Sequence, residues 1–381
     1  MQNKRNIRIL YAIALLQGMV FYGPIATLYR EAAGLDIFQI ALIESVSLIV
    51  GMALELPWGI AADKIGYKRT MIACCMLYFA SKLVFWRAVG FFGFLMERIL
   101  LGVVCAGLSG VDESMLYLSA SKEQAQRCFG IYDGLSQLGL LLAALVYSLF
   151  VGENYRLAGL LTVFSYGAAA LLALGLQEVR HAPEARQGGF GMSLKQIFKN
   201  RKLLLLILAA ALLSESHQTI TVFLAQKKYA ALGMSAGLIG GAFIVLSLAG
   251  VLGGRLSSAL TVRLGRARSG GLLMLAAAAA CAVLAFTASP LAAVLAVVAL
   301  RLACTLFMPL NMQLQNEQVQ TQNRATELSV YAFLMSSIAV LTNLAFGKLA
   351  EHRLSLAMLL GALMCLAGAI CFGFFMRRKG S

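Results

Sequence analysis

The chain has 381 residues, of which 60% are hydrophobic and only 13% are charged. A soluble domain is closer to half apolar, so this composition excludes an ordinary water-soluble fold and indicates a membrane protein. A spanning helix needs about 20 apolar residues. Because the polar segments between the apolar runs are mostly short, the length accommodates about twelve helices.

The net charge of +15 raises the question of a nucleic-acid partner. Lysine and arginine are spread over alternate loops and do not gather on one polar domain, so no nucleic-acid partner is expected. With residues 3–8 on the cytoplasmic side, most cations fall on that side, and the positive-inside rule places both termini in the cytoplasm. We expect a multi-pass membrane protein. The cations assigned to the opposite side are Arg30, Arg87, Arg156, Lys227, Lys228 and Arg353.

The eight cysteines lie in or beside apolar runs, without C-x-x-C pairs or neighbouring histidines. This pattern indicates packing residues and predicts neither a metal site, a cofactor nor a disulfide framework.

Twelve apolar runs follow one another along the chain, and we read the first as a span rather than a signal peptide. The longest polar interruption, 177–202, reads as a cytoplasmic linker between two six-helix bundles at 1–176 and 203–381. The predicted spans are 8–29, 37–61, 69–88, 92–118, 128–150, 155–176, 203–226, 236–260, 270–288, 291–316, 326–349 and 355–376.

The stretch 54–70 ends one apolar run and leads through a short basic turn into the next. Its characteristic residues are Gly59, Asp63, Gly66, Lys68 and Arg69. The stretch resembles the loop between the second and third helices of the Major Facilitator Superfamily, G-x-x-x-D-[RK]-x-G-R-[RK], with Tyr67 where Arg is usual. Residues 97–107 resemble the superfamily's fourth-helix motif R-x-x-x-G-x-x-x-x-G. Residues 323–329 resemble a turn of a drug-efflux-like bacterial branch.

The resemblance implies an all-α membrane fold of twelve helices in two pseudo-symmetric six-helix bundles, and transport by alternating access. It also implies a gating role for the 54–70 loop, with Asp63 accepting hydrogen bonds from the amino end of span eleven. A weaker copy of the loop follows the eighth span. Aligning Gly66 with Gly265 places Val262 opposite Asp63, so the halves read as parallel repeats. The Gly-Pro pair that superfamily antiporters carry in the fifth helix is absent from 136–145.

Charged side chains inside apolar runs are candidates for function, because each costs at least about 2.5–3.5 kcal/mol at the bilayer centre. Glu44 and Lys82 lie at similar predicted depths in spans two and three, which predicts an intramembrane ion pair. That pair is either purely structural or part of transport.

Asp112 and Glu113 in span four approach the level of Asp133 in span five. Repulsion among three carboxylates favours binding of a proton, which a proton carrier requires. Alternatively, one or two of these acids pair with cations at the inner surface. Arg98 lies on the same helix face as Asp112, close to four turns away, and is a candidate to bind substrate.

The richest polar stretch within a span is 214–221, in span seven. Glu215 and His217 are candidates for proton coupling, although they lie about 200° apart around a regular helix. We expect Arg301 of span ten to neutralise Glu215 in one state. Polar candidates for substrate contacts are Gln17, Tyr22, Gln218, Arg301 and Asn311, each of which could instead bond between helices.

The chain carries no hydrolytic triad, Gly-rich phosphate loop or domain for ATP chemistry, so an enzyme is not expected. We expect a monomeric secondary transporter in the lipid bilayer that exports a small amphipathic or cationic compound in exchange for protons. Buried acids outnumber buried bases in the predicted spans, which favours cations. Alternatives are proton-coupled uptake of a small metabolite and, outside transport, a membrane sensor or lipid-handling protein.

Overall fold

A computed structural model describes residues 3–109, 111–120, 125–152, 154–179, 200–318 and 324–377, and the all-helical prediction is confirmed for them. The first half contains α1 (Lys4–Gly18), α2 (Ala26–Ala32), α3 (Ile37–Ile65), α4 (Tyr67–Arg87), α5 (Gly90–Leu108), α6 (Val111–Ser119), α7 (Ala125–Val146) and α8 (Tyr155–Ala173). The second half contains α9 (Arg201–Gln218), α10 (Ala225–Ala231), α11 (Ala236–Leu264), α12 (Arg266–Phe286), α13 (Pro290–Gln318), α14 (Arg324–His352) and α15 (Leu354–Arg377). A 3₁₀ turn at Gly23–Ile25 precedes α2, and π-helical turns follow α7 at Tyr147–Val151 and α9 at Thr219–Leu224.

Eleven helical segments of the described chain are long and apolar enough to cross a bilayer. They match the predicted spans except the eighth, which falls on α11. Within α11, the apolar part that qualifies is the shorter stretch Ala236–Gly250. The first span combines α1 and α2, the fourth combines α5 and α6, and the seventh combines α9 and α10.

The chain divides into two compact units. Unit 1 comprises residues 1–184 together with 236–244, and unit 2 comprises 185–235 together with 245–381. The predicted linker 177–202 falls mostly on residues 180–199, which lie outside the described residues.

The first span is interrupted, and α3 begins at a defined cap. After α1 ends at Gly18, the chain leaves the helix and resumes in α2, whose last turn carries Arg30. Asp36 then accepts a hydrogen bond from the backbone N–H of Gln39 at 2.7 Å, and the Gln39 side chain accepts from the backbone N–H of Asp36 at 3.1 Å. This capping box satisfies two amide groups that would otherwise lack partners at the start of α3.

The helices of the first half recur in the second half at a fixed spacing. Helices α3 and α11 both have 29 residues, α4 and α12 both have 21, and each pair begins 199 positions apart. A glycine with positive φ precedes each element at the same spacing: Gly34 (+97°) and Gly233 (+79°), then Gly66 (+93°) and Gly265 (+78°). Residues that carry a side chain rarely adopt a positive φ, so glycine is favoured at these joins. The observed geometry agrees with the alignment of Gly66 with Gly265.

Small residues bring α1 and α7 into close contact. Gly139 of α7 lies against the backbone oxygen of Leu15, and Gly18 lies against the backbone of Ser136, with no room for a Cβ at either glycine. Such small-residue interfaces let membrane helices approach closely. The 136–145 stretch therefore packs through Gly139, although it lacks the Gly-Pro pair.

Candidate functional site

Five charged side chains from four spans meet in unit 1, and we call them the charge network. Its members are Arg30 of α2, Glu44 of α3, Lys82 of α4, and Glu97 and Arg98 of α5. All five lie within segments apolar enough to cross a bilayer. Because charges in such segments are costly and therefore rare, the network is the foremost candidate for function in unit 1.

Glu44 joins the two arginines of the network. Its Oε1 lies 2.6 Å from Nη2 of Arg98 and accepts a hydrogen bond from Nη1 of Arg30 at 3.3 Å. The side chains of Glu44 and Arg98 are 14% and 13% exposed, whereas that of Arg30 is completely buried. The network is therefore accessible at its Glu44–Arg98 end.

Glu97 is completely buried and faces three cations. Its Oε2 lies 3.3 Å from Nε of Arg98 and 3.9 Å from Nη2 of Arg30, and its Oε1 lies 4.0 Å from Nζ of Lys82. None of these three contacts has hydrogen-bond geometry. The carboxylate thus acts as a central negative charge for cations on three helices.

The ammonium of Lys82 is enclosed by tyrosines. It donates a hydrogen bond to the hydroxyl of Tyr22 at 3.0 Å. It also lies 4.9 Å from the ring centre of Tyr78, 5.1 Å from that of Tyr166 and 5.7 Å from that of Tyr22. Aromatic faces attract cations, so the rings stabilise the desolvated ammonium.

The structure corrects the predicted direct pair between Glu44 and Lys82. Both belong to the network, but Glu44 pairs with the two arginines and Lys82 pairs with Glu97. The sequence reading missed Arg30, because a span predicted to end at residue 29 leaves it in a loop on the outer side. The break between α1 and α2 extends this span to Ala32 and keeps Arg30 inside.

The equivalent positions of the repeat are uncharged. At the spacing of 199, Arg30, Glu44 and Lys82 correspond to Tyr229, Phe243 and Cys281. Helices α5 and α13 begin 200 positions apart, which places Val297 and Val298 opposite Glu97 and Arg98. The same succession of helices therefore forms with uncharged residues at these positions, so the order of helices alone does not explain the network.

In unit 2, Arg301 of α13 contacts His217 of α9. Its Nη1 lies 3.2 Å from Nε2 of His217, and the hydroxyl of Thr221 lies 3.5 Å from the same nitrogen. A guanidinium has only donors, so Nε2 of the imidazole accepts this hydrogen bond and carries no proton. Arg301, which is expected to neutralise Glu215 in one state, contacts His217 in this structure, because Glu215 and His217 lie on different faces of α9.

Glu215 makes no hydrogen bond or ion pair with any side chain in the described part of the chain, and it is partly exposed. It lies near the middle of the segment Arg201–Ala231. Neighbouring polar residues on α9 are satisfied locally: Ser216 donates to the backbone of Leu212 at 2.7 Å, and Thr219 donates to Asn343 at 2.9 Å. Glu215 therefore differs from the acids of the charge network, which have cations beside them.

The remaining candidates for substrate contacts have varied surroundings. The Gln17 amide lies 3.5 Å from the thiol of Cys75, and Tyr22 belongs to the surroundings of Lys82. Gln218 is exposed. Asn311 is buried, and its side-chain oxygen has no hydrogen-bond partner among the described residues.

The three predicted proton-carrying acids of spans four and five lie near one another. Asp112 accepts a hydrogen bond from the hydroxyl of Tyr132 at 3.1 Å, and Glu113 has Asp112 and Asp133 as charged neighbours. Glu113 and Asp133 are exposed. No ion pair joins any of the three to another described residue.

The gating-loop stretch forms a sharp join. Helix α3 runs through Gly59 and ends at Ile65; Gly66 caps it, and α4 begins at Tyr67. The carboxylate of Glu178, which the sequence reading did not single out, accepts from the backbone N–H of Lys68 at 3.2 Å. A carboxylate at the amino end of a helix is favourable. Arg69 is exposed, and the side chain of Asp63 lies outside the description, as do the side chains of 323–329.

No group of side chains suited to hold a metal ion occurs among the described residues. All eight cysteines are free thiols.

A family model described as Major Facilitator Superfamily matches residues 9–342. The chain is 25% identical over 248 residues to the uncharacterised MFS-type transporter YcaD of Salmonella arizonae, covering 64% of this chain and 60% of that protein. It is 24% identical over 138 residues to the uncharacterised MFS-type transporter MJ1560 of Methanocaldococcus jannaschii, 36% of each chain. The matched regions thus span less than two thirds of these relatives.

Solved structures resemble the fold over almost its whole length. A point mutant of the nucleoside transporter NupG has a TM-score of 0.80 at 15% identity, covering 98% of this chain and 99% of that one. A bacterial homologue of the human lysosomal transporter Spinster has a TM-score of 0.77 at 17% identity, covering 99% and 98%. Identities this low carry the fold alone.

Proposed function

The chain belongs to the Major Facilitator Superfamily, and from this premise we propose that it is a proton-coupled secondary transporter with Glu215 as its proton-binding group. Like its relatives, it is a multi-pass membrane transporter of small molecules and not an enzyme. We further propose that it resides in the bacterial inner membrane as a monomer and works by alternating access between the halves 1–176 and 203–381.

The unpartnered state of Glu215 carries the proposal of proton coupling. A carboxylate near the middle of a span has a large desolvation cost unless a cation lies beside it or it binds a proton. Within the described residues Glu215 has no such cation. Arg301, the cation expected there, contacts His217. Binding a proton therefore removes the desolvation cost of the Glu215 carboxylate when water leaves its surroundings.

The direction of transport has two candidates. We propose export first, because 323–329 resembles a turn of drug-efflux-like members of the superfamily. Uptake is the alternative, supported by the absence of the fifth-helix Gly-Pro pair that antiporters carry. For the substrate we propose a small amphipathic compound. NupG transports nucleosides, but its similarity to this chain extends to the fold alone.

The predicted preference for cationic substrates rested on an excess of buried acids. In the structure Glu113 and Asp133 are exposed, and Arg30, which was assigned to a loop, is completely buried. Both acids still lie within segments apolar enough to cross a bilayer, so Arg30 narrows the excess of acids without removing it, and a cationic compound stays a second candidate substrate.

The test uses purified full-length protein in proteoliposomes loaded with a pH-sensitive dye. A thermal-stability screen first identifies a compound that binds, and a gradient of that compound is then imposed. Wild-type protein should move protons with the compound. The sign of the pH change separates exchange of the compound for protons from co-transport with protons. Under an inward proton gradient, exchange corresponds to export and co-transport to uptake.

The decisive variant is Glu215→Gln, which keeps the shape of the side chain but cannot exchange a proton. We expect it to retain exchange of labelled for unlabelled compound across the bilayer and to lose proton movement. Glu351→Gln is the matched control, because Glu351 is an exposed acid paired with Lys348 at 2.9 Å. Normal proton movement in Glu215→Gln, or none in the wild type, contradicts the proposal.

A further inference from the structure

The charge network of unit 1 does not balance its own charge. It contains three cations, Arg30, Lys82 and Arg98, and two carboxylates, Glu44 and Glu97. These carboxylates are the acidic neighbours of both arginines among the described residues. With every member ionised, the network has one positive charge in excess.

Among the residues that the structure describes, the groups around the network do not supply the missing negative charge. The rings of Tyr22, Tyr78 and Tyr166 attract the ammonium of Lys82, but neutral phenols leave the net charge unchanged. An uncompensated charge buried in a span is strongly unfavourable. A negatively charged partner that enters the network would remove this cost.

The accessible part of the network is its Arg98 end. Side-chain exposure is 13% for Arg98 and 14% for Glu44, against 5% or less for the other three members. The buried Nε of Arg98 faces Glu97 without forming a hydrogen bond, so the network does not satisfy every donor of this guanidinium. A planar guanidinium is well suited to hold a carboxylate through two parallel hydrogen bonds.

The repeat argues that the excess charge serves a ligand rather than the fold. The second copy has the same succession of helices with Tyr229, Phe243 and Cys281 at the positions of Arg30, Glu44 and Lys82. The succession of helices in unit 2 thus forms with uncharged residues at these positions. The charges are therefore an addition specific to unit 1.

We propose that the charge network binds one carboxylate group of the transported compound, with Arg98 as the contact residue. The substrate class is then small monocarboxylates. This rests on the proposed transport function and narrows its substrate. A carboxylate bound here and a proton bound at Glu215 leave no net charge to move, which suits transport of both in the same direction. This inference therefore favours the uptake alternative over the export proposed first.

The experiment measures the thermal stability of purified full-length protein in detergent, in chloride-free buffer at constant ionic strength. The probes are acetate, lactate, benzoate and nicotinate, each paired with its neutral amide. At least one carboxylate should raise the melting temperature in a concentration-dependent manner, and its amide should not. Equal effects of acid and amide overturn the proposal, as does the absence of any effect across the panel.

Variants that change the network's charge in opposite directions sharpen the test. Lys82→Met removes the excess charge and should weaken carboxylate binding by at least about tenfold. Glu44→Gln raises the excess positive charge of the network and should strengthen carboxylate binding. Lys348→Met, which removes an exposed cation of unit 2, should leave binding unchanged. Lys82→Gln provides a second neutral variant if Lys82→Met does not fold.

The same variants distinguish a substrate from an inorganic ion. Chloride is tested in place of the carboxylates, and stabilisation by chloride alone with the same dependence on Lys82 overturns the assignment to a substrate group. Unchanged affinity for carboxylates in both Lys82→Met and Glu44→Gln also contradicts it. Proton movement through Glu215 is measured separately in proteoliposomes, so failure of one proposal is distinguishable from failure of the other.

Discussion

Replacing Glu97 by glutamine should destabilise unit 1 more than any comparable loss of a surface acid. The carboxylate is completely buried and lies 3.3 Å from Arg98, 3.9 Å from Arg30 and 4.0 Å from Lys82. Glutamine has nearly the same volume, so the substitution removes the charge and keeps the packing. Three cations would then share the single carboxylate of Glu44.

The expected size follows from these distances. At an effective dielectric constant of about 20, an ion pair at 4 Å is worth roughly 4 kcal/mol before desolvation is counted. Measured losses on removing one partner of a buried pair are about 3–5 kcal/mol. Since 1 kcal/mol shifts the melting temperature of a domain of this size by about 2–4 °C, Glu97→Gln should lower it by on the order of 10 °C.

The buried cysteines provide the assay. Cys74, Cys75, Cys281 and Cys365 are buried free thiols, so a fluorogenic maleimide reports their exposure on unfolding. Cys105 is exposed and contributes a constant background. Glu351→Gln, in which the lost acid is 41% exposed, should change the melting temperature by less than about 3 °C.

A second substitution tests whether charge is the cause. Lys82→Met added to Glu97→Gln removes one of the unmatched cations, so the double variant should be more stable than the sum of the single effects predicts. Strict additivity of the two effects, or a loss for Glu97→Gln no larger than that of Glu351→Gln, would refute the reasoning.

Two further predictions concern the fold. Gly139→Val should sharply lower the yield of folded protein, because a side chain there overlaps the backbone oxygen of Leu15. Gly130→Val is the control and should be tolerated, since a Cβ at Gly130 meets open space. Size-exclusion chromatography in detergent compares the two yields, and equal yields contradict the packing described. Asp36→Ala removes the capping box shared with Gln39 and should reduce stability by about 0.5–2 kcal/mol. The maleimide assay measures this loss, and an unchanged melting temperature contradicts a role for the cap.

The helices were predictable because a spanning helix has a strong compositional signal. Apolar runs of about 20 residues bounded by charged turns leave little choice of secondary structure in a bilayer. The Gly66–Gly265 alignment was likewise readable from sequence, and positive φ at both glycines supplies its physical basis.

The partners of the charged side chains were not predictable to the same degree. Matching depths correctly indicated that Glu44 and Lys82 belong to one region, but depth does not fix rotation about a helix axis. Arg30 was assigned to a loop, because hydropathy does not indicate that the first span continues as a helix after the break at residues 19–25. Arg301 was assigned to Glu215 by depth, whereas rotation places it against His217.

The repeated scaffold gives the chain an internal reference. Two stretches of one polypeptide follow the same sequence of joins at Gly34 and Gly66 and at Gly233 and Gly265, under one set of solvent and lipid conditions. A trait shared by both copies reflects what six packed helices need to persist. A trait confined to one copy is not needed by the shared architecture, so comparing matched substitutions at paired positions separates residues that maintain the fold from residues that serve a role specific to one half.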